Sequence, residues 1–305
     1  HLSIRRQRQM CIRDRFYTFY SMFGFQRIAD QIWAAADSRA RGFLMGATAG
    51  RTTLNGEGLQ HQDGHSLLFA SAVPGCRAWD PAYAYELATI IRHGIDEMWG
   101  KDLDVFHYIM LYNENQQQVA KPEGADEGII RGAYKVQKPG GKAPPSVRIL
   151  GSGPILQYAR EASTILESEY GVSSEVWSVT SYGELRKDGL DSERHNRLNP
   201  QDKRTPYASE CFGDGVPTVA VSDYIAAVPE MIHRWVGGRY VVLGTDGFGR
   251  SDTRESLRRF FEIDTESIVL AALSALEQEG DMPEGTVEGA ASKMGVSLTR
   301  EDKAE

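Results

Sequence analysis

The chain lacks most of the patterns that place a protein in a class at once. No stretch approaches the roughly 20 apolar residues of a membrane-spanning helix, so no membrane partner is expected. Cysteine is scarce: Cys11, Cys76 and Cys211 form an odd, widely spaced set with no CxxC pair. Such a set does not support a disulfide framework or a zinc site and fits a reducing, cytoplasmic setting. An excess of basic residues is missing as well. Lys and Arg number 34 against 42 Asp and Glu, a formal net charge of −8, which argues against nucleic acid or an anionic membrane as the main partner. The sequence has no GxSxG elbow, no GxGxxG fingerprint and no GxxxxGK-S/T loop. A nucleophile-elbow hydrolase and both common phosphate cradles are therefore disfavoured.

What is present is an ordinary globular composition over 305 residues, 41% hydrophobic and 25% charged. That is enough for a sizeable core and, as a soft prior, for about two domains. The segment 1–15 stands apart, with five arginines against one acid; we read it as foreign to the rest and set it aside. Phe16–Tyr20 is aromatic and β-branched, suiting the end of a strand or the start of a helix. Met22, Phe25, Ile28, Ile32 and Ala36 then recur at helical spacing. Gly42–Ala47 reads as a buried strand, Cys76–Trp79 as another, and Pro81 suits the first turn of a helix over Ala82–Trp99. Val105–Leu111 is nearly all apolar, as a strand buried on both faces of a parallel sheet would be. Strands and helices alternating at short intervals imply an α/β layer with right-handed crossovers.

A short helix over Asp126–Ala133 and the breaker cluster Lys138–Pro145 separate this half from the next. There the alternation restarts: strands over Ser146–Leu150, Glu175–Thr180, Thr218–Val221 and Tyr240–Leu243, with helices over Ile155–Tyr170, Glu184–Leu190, Tyr224–Val236, Thr253–Phe261 and Ile268–Leu276. The domain boundaries expected are 16–137, a linker over 138–145, a second α/β domain over 146–285 and a polar tail over 286–305.

Between the strands ending at Ala47 and Trp79 lies Thr48–His65, with four glycines, two histidines and two acids and no regular period. A glycine-rich loop of this length is uncommon in a compact domain and is usually functional. It also follows the carboxyl end of a strand, where α/β sheets gather ligands. Glu57, His61, Asp63 and His65 can exchange protons near neutral pH. A solvated surface loop with idle histidines is the plain alternative. Other motifs read as structure. Gly213-Asp-Gly215 suits a turn before a strand, because no Asn follows it to complete a metal–diphosphate site. Gly244–Asp252 suits a chain reversal with a helix cap from Ser251 or Asp252. His93 and His107 read as satisfied structural histidines, His195 and His233 have no partner pattern, and Phe23 and Phe25 default to core packing.

Seven strings together resemble one family: Tyr20–Arg27 (YSMFGFQR), Arg39–Gly46 (RARGFLMG), Gly50–Ser66 (GRTTLNGEGLQHQDGHS), Asp80–Glu86 (DPAYAYE), Leu111–Asn115 (LYNEN), Tyr182–Gly189 (YGELRKDG) and Leu243–Asp252 (LGTDGFGRSD). The chain resembles the homodimeric, bacterial-type decarboxylating component of the pyruvate dehydrogenase complex from about Phe16 to near its C-terminus. Transketolase shares the architecture but not these strings. The resemblance implies an α/β fold in which a partial aminopyrimidine-binding domain precedes a transketolase-like C-terminal domain. It implies thiamine diphosphate and Mg2+ as cofactors, with the metal and diphosphate sites and the catalytic glutamate upstream of Phe16; no metal ligand is assigned here. By matching motifs, Phe23 would stack on the aminopyrimidine with Tyr20 and Arg27 beside it, and His61 would face the reacting carbonyl with Glu57 as partner and His65 in support. The implied partners are pyruvate, a second copy of the chain and the dihydrolipoyl acetyltransferase. The alternatives are a non-catalytic dimerisation or docking module, and a related 2-oxo-acid or transketolase-like specificity. With half of a shared site, the chain alone is expected to be inactive, and its Phe16–Phe25 surface to be an apolar liability.

Overall fold

The computed structural model describes residues 15–141 and 143–299. The expectation for residues 1–15 falls outside that span except at Arg15, which already pairs with Gly42 and so opens the first strand. That strand, β1 (Arg15–Tyr20), lies parallel to β2 (Gly42–Ala47), which lies parallel to β4 (Phe106–Leu111), which in turn flanks β3 (Cys76–Trp79). The order β1-β2-β4-β3 puts β4 inside the sheet, which is why its residues Phe106 to Met110 are all buried and apolar or, at His107, internally bonded. Helix α1 (Phe25–Asp37) joins β1 to β2, and the short α2 (Ser66–Ala70) follows the glycine-rich loop. The helix α3 (Ala84–Ile95), extended by one wider turn through Gly100, leads from β3 towards β4.

The second sheet has the order β5-β7-β6-β8-β9. Its strands are β5 (Ala133–Gln137), β6 (Val147–Gly151), β7 (Ser174–Val179), β8 (Thr218–Val221) and β9 (Tyr240–Leu243), all parallel but for β5. Helix α4 (Ala125–Arg131) ends at Gly132, whose φ of 106° is open to glycine. The chain then enters β5, so the helix expected to reach Ala133 stops two residues short. This strand pairs antiparallel with β7 at the sheet edge, and the chain therefore joins the second sheet before the Lys138–Pro145 stretch. Helices α5 (Leu156–Tyr170), α6 (Tyr182–Leu198), α7 (Tyr207–Phe212), α8 (Arg254–Phe261) and α9 (Thr265–Glu279) complete the layers. Two further expectations are corrected. Pro229–Trp235 forms tight three-residue turns where a longer helix was expected, and part of the expected polar tail is a helix, α10 (Thr286–Met294), which packs on α9.

Three apolar clusters hold these layers. One lies mainly under the first sheet but takes in Tyr134 of β5, and one lies mainly under the second sheet but takes in Tyr83. The third runs through both, joining Phe25, Tyr108 and Met110 to Trp177, Tyr182, Phe212 and Tyr224. With the core shared in this way, the carboxyl ends of β3, β6 and β7 meet. Asp80 N–H donates to Thr180 O at 2.8 Å, and Gly153 N–H to Asp80 O at 3.2 Å.

Candidate active site

The site is built where β1 and β2 end. After Tyr20 the chain makes one tight turn, Ser21–Phe23, and passes Gly24 into α1. A Cβ on Gly24 would fall 1.9 Å from the Phe19 ring, so only glycine allows the turn to fold back so tightly. The two phenylalanines of this turn part company: Phe25 is buried in the core, whereas Phe23 stays half-buried at the surface. Arg27, one helical turn on, lays its guanidinium 4.2 Å above the Phe23 ring.

The other wall is the glycine-rich loop. It leaves β2 through Thr48 and Gly50, both at positive φ, and is largely buried from Ala49 to Leu54. A single tight turn over Leu59–His61 brings the His61 ring 5.5 Å from that of Tyr20 and 5.3 Å from that of Phe23. The Tyr20 and Phe23 rings are themselves 5.7 Å apart. His61 Nδ1 lies 2.8 Å from Glu57 Oε2, close enough for an ion pair but off the line of a hydrogen bond. With 28% of its side chain exposed, the imidazole is held from one side and open on another. Five of the six residues expected from the sequence thus meet: Tyr20, Phe23, Arg27, Glu57 and His61.

His65 stands apart from that ring cluster. Its Nε2 is 2.6 Å from Gln26 Oε1 and its ring meets Phe69 edge-on at 5.0 Å. Burial lowers its pKa, the nearby Asp63 opposes that, and Arg51 lowers it further, which favours the neutral ring. Asp63 serves the fold: its Oδ1 accepts from the His65 and Ser66 N–H groups at 3.1 and 3.0 Å and caps α2.

The reading of this loop as a solvated excursion does not survive. Asp223, at the end of β8, accepts from Thr52 N–H at 3.1 Å, Thr52 Oγ1 at 2.7 Å and Thr53 Oγ1 at 3.1 Å. The turn after β9 holds the loop from the same side: Arg51 Nη1 donates to Gly247 O at 2.5 Å, and Arg254 N–H to Asn55 Oδ1 at 2.7 Å. Sequence reasoning passed over Arg51, Gln62, Asp223 and Arg254 because each finds its partner far along the chain. One signal was available: the spacing Gly244, Gly247, Gly249 marks a backbone that another segment can approach closely.

The remaining motifs are structural. Asp214 of the Gly213–Gly215 turn pairs with the buried Arg148 through two hydrogen bonds of 3.1 and 2.8 Å. Helix α8 is capped by Thr253, which accepts from Ser256 N–H, rather than by Ser251 or Asp252. His107 is buried and accepts from Trp79 Nε1 at 3.0 Å. His195 lies 2.8 Å from Asp202 O, and His233 packs on Tyr240.

The donor set can be compared with the group that the resemblance implies. Half-buried and exposed aromatic rings beside an acid–imidazole pair suit a flat heteroaromatic ring. No group of three His, Cys, Asp or Glu residues that could hold a metal ion occurs among the described residues. These rings and the acid–imidazole pair fit the pyrimidine end of such a cofactor.

The pyruvate dehydrogenase E1 component middle domain matches residues 8–119, and the transketolase-like C-terminal domain matches residues 132–264. The Pseudomonas aeruginosa pyruvate dehydrogenase E1 component is 54% identical over 284 residues, covering 92% of this chain and 32% of that protein. The Escherichia coli pyruvate dehydrogenase E1 component is 50% identical over 288 residues, covering 93% and 32%. The chain thus spans about a third of the length of these curated relatives. Among solved structures, transketolase from Leishmania mexicana superposes with a TM-score of 0.66 at 19% identity, over 88% of this chain and 35% of that one. At that identity the likeness shows a shared fold.

Proposed function

From its membership of the pyruvate dehydrogenase E1 component family over these two domains, we propose that the chain supplies one wall of an active site for the oxidative decarboxylation of pyruvate. The acetyl unit would pass to the lipoyl group of an acetyltransferase, within a cytoplasmic homodimeric enzyme. Thiamine diphosphate, held with Mg2+ by residues outside this chain, supplies when bound the carbon nucleophile for the pyruvate carbonyl. Phe23 and Tyr20 pack against the pyrimidine ring, and Arg27 braces Phe23 from its other neighbour, α1. His61 reaches the substrate: protonated, it holds the pyruvate carboxylate and can give its proton to the acetyl acceptor; left neutral, it can take a proton back. Glu57 steadies the imidazole from the protein side. His65, bonded to Gln26, supports the loop.

The observation that carries this reading is the convergence of His61, Tyr20 and Phe23 from two separate strand ends, with Glu57 behind the imidazole. The measurement is acetyl transfer by the complete enzyme carrying His61→Ala. Transfer should slow by roughly 10²–10⁴-fold, the usual contribution of a placed acid–base group, while thiamine diphosphate affinity stays within a few fold. Unchanged turnover would remove His61 from the reaction. The chain by itself should be inactive and bind the cofactor weakly. Tight calorimetric binding of thiamine diphosphate and Mg2+ to the chain alone would contradict that. Rates on longer 2-oxo acids against pyruvate test the substrate assignment.

A further inference from the structure

Gln62 follows His61 in the chain, and its surroundings are not those of a loop glutamine. It is 1% exposed. Its Nε2 donates to the Arg250 carbonyl at 2.7 Å, and its Oε1 accepts from the Arg250 N–H at 2.8 Å. The planar amide thereby makes both bonds that a paired strand residue would make, and two bonds on one rigid group fix its position and its tilt. Arg250 is 188 positions away, on the turn that follows β9. Gly249 lets the two meet. A Cβ there would fall 2.3 Å from Gln62 Oε1 and 3.0 Å from Gln62 Cβ, so any larger residue displaces the amide.

The backbone carries this anchoring to the imidazole. His61 closes the tight turn Leu59–His61, and Gln62 is the first extended residue after it, with φ −91° and ψ 103°. A change in where Gln62 is held rotates that turn and moves the ring relative to Tyr20, Phe23 and Glu57, which are its neighbours on the other side. Arg51 on Gly247 and Asn55 on Arg254 tie the same loop to the same region of the second domain, but at positions further from His61 along the chain.

We propose that Gln62 is a positioning residue through which the turn after β9 sets the place of the His61 imidazole, so that the second domain tunes the site without touching substrate. The proposal rests on the reading of His61 given above, and its test separates the two. Gln62→Met keeps the length of the side chain and loses both hydrogen bonds; Gly249→Ala keeps the glutamine and pushes it. In the whole chain, labelled on histidine, the His61 ring resonances should move in both variants while those of the buried His107 stay in place. In the complete enzyme, kcat for acetyl transfer should fall roughly 10- to 100-fold, with KM for pyruvate changed little, as displacement of a reacting group by about an ångström does. Should Gln62→Met fail to fold, Gln62→Asn, one methylene short of Arg250, is read in the same way. Ring resonances that stay put in the folded variants overturn the positioning role, whatever happens to kcat. A moved ring with unchanged kcat upholds the positioning and removes His61 from the chemistry.

Discussion

Asp80 and Asp223 end two different strands, β3 and β8, and both carboxyl groups are buried. Burial pushes Asp80 up to about 7, against the pull of hydrogen bonds from Ser152 and Tyr112, with the charges of Asp223 and Glu86 pushing the same way. Asp223 is pushed up to about 6 by burial, opposed by Arg258 and by its bonds from Thr52 and Thr53. An unfolded aspartate titrates near 3.9. Folding therefore favours the protonated forms: this contribution is fully present below about pH 4 and is lost as pH rises through the two folded values. The thermal midpoint of the chain should accordingly fall between about pH 4 and pH 7, and Asp80→Asn should flatten that fall. A variant whose midpoint drops as steeply as that of the unsubstituted chain would show that Asp80 ionises in the fold without penalty. The candidate site is legible at this scale only in part. The Thr48–His65 composition offers Glu57, His61, Asp63 and His65 alike, the family resemblance picks out His61 and Glu57, and nothing local in the sequence pairs Asp223 with Thr52.

Among the elements, the strands were the clearest in sequence. Gly42–Ala47, Cys76–Trp79, Thr218–Val221 and Tyr240–Leu243 are found at the expected bounds, because a short β-rich apolar run between breakers has few other ways to be buried. The edge strand β5 was missed. Its Ala133–Gln137 run is short, and its partner β7 is more than 30 positions on, so the pairing that makes it a strand is not a local property. Helix ends were also decided by contacts. Helix α6 starts at Tyr182 because the Ser181 hydroxyl accepts from Glu184 N–H at 3.0 Å while donating to Ala78 O at 2.6 Å, joining the cap of one domain's helix to the last strand of the other domain's sheet. Ser181→Ala should lower stability by about 1–2 kcal/mol, the usual cost of a lost N-cap with a buried partner. Chemical denaturation would measure it, and a loss near zero would mean that the cap bond contributes nothing net.

For the whole molecule, the join between the domains is polar at its centre. Arg258 is fully buried; burial draws its pKa down, but the hydrogen bond and charge of Glu114 more than offset this and hold it raised. Its Nη1 and Nη2 reach Glu114 at 3.0 and 2.6 Å, Nη1 also reaches Tyr158 Oη at 2.7 Å, and Nε donates to Thr52 Oγ1 at 3.2 Å. Glu86 acts similarly on the other side. It accepts from Tyr83 N–H at 3.1 Å, and from Tyr134 Oη and Ser178 Oγ at 2.5 and 2.7 Å, tying α3 to β5 and β7. Removing one partner of a buried pair strands the other, so Arg258→Ala should cost about 3–5 kcal/mol. Hydrogen exchange should then speed up at the amides of Arg51–Thr53, well away from the substitution in sequence. Exchange confined to α8 would show instead that the two domains are held by their apolar core alone.

By itself the sequence determined the class of fold, most strands, and the loop on which proton-exchanging groups are concentrated. Each of these follows from apolar period, breaker residues and side-chain chemistry within a few neighbouring positions. The family was legible too, because strings such as Gly50–Ser66 are too long and too specific to recur by chance. Tertiary structure alone decided that His65 turns away to Gln26 and that the loop is clamped by a turn nearly 190 positions downstream. The reason is that burial, hydrogen-bond partnership and the cost of an unpaired polar group are properties of what lies across a packed interface. Chain order does not record that neighbour.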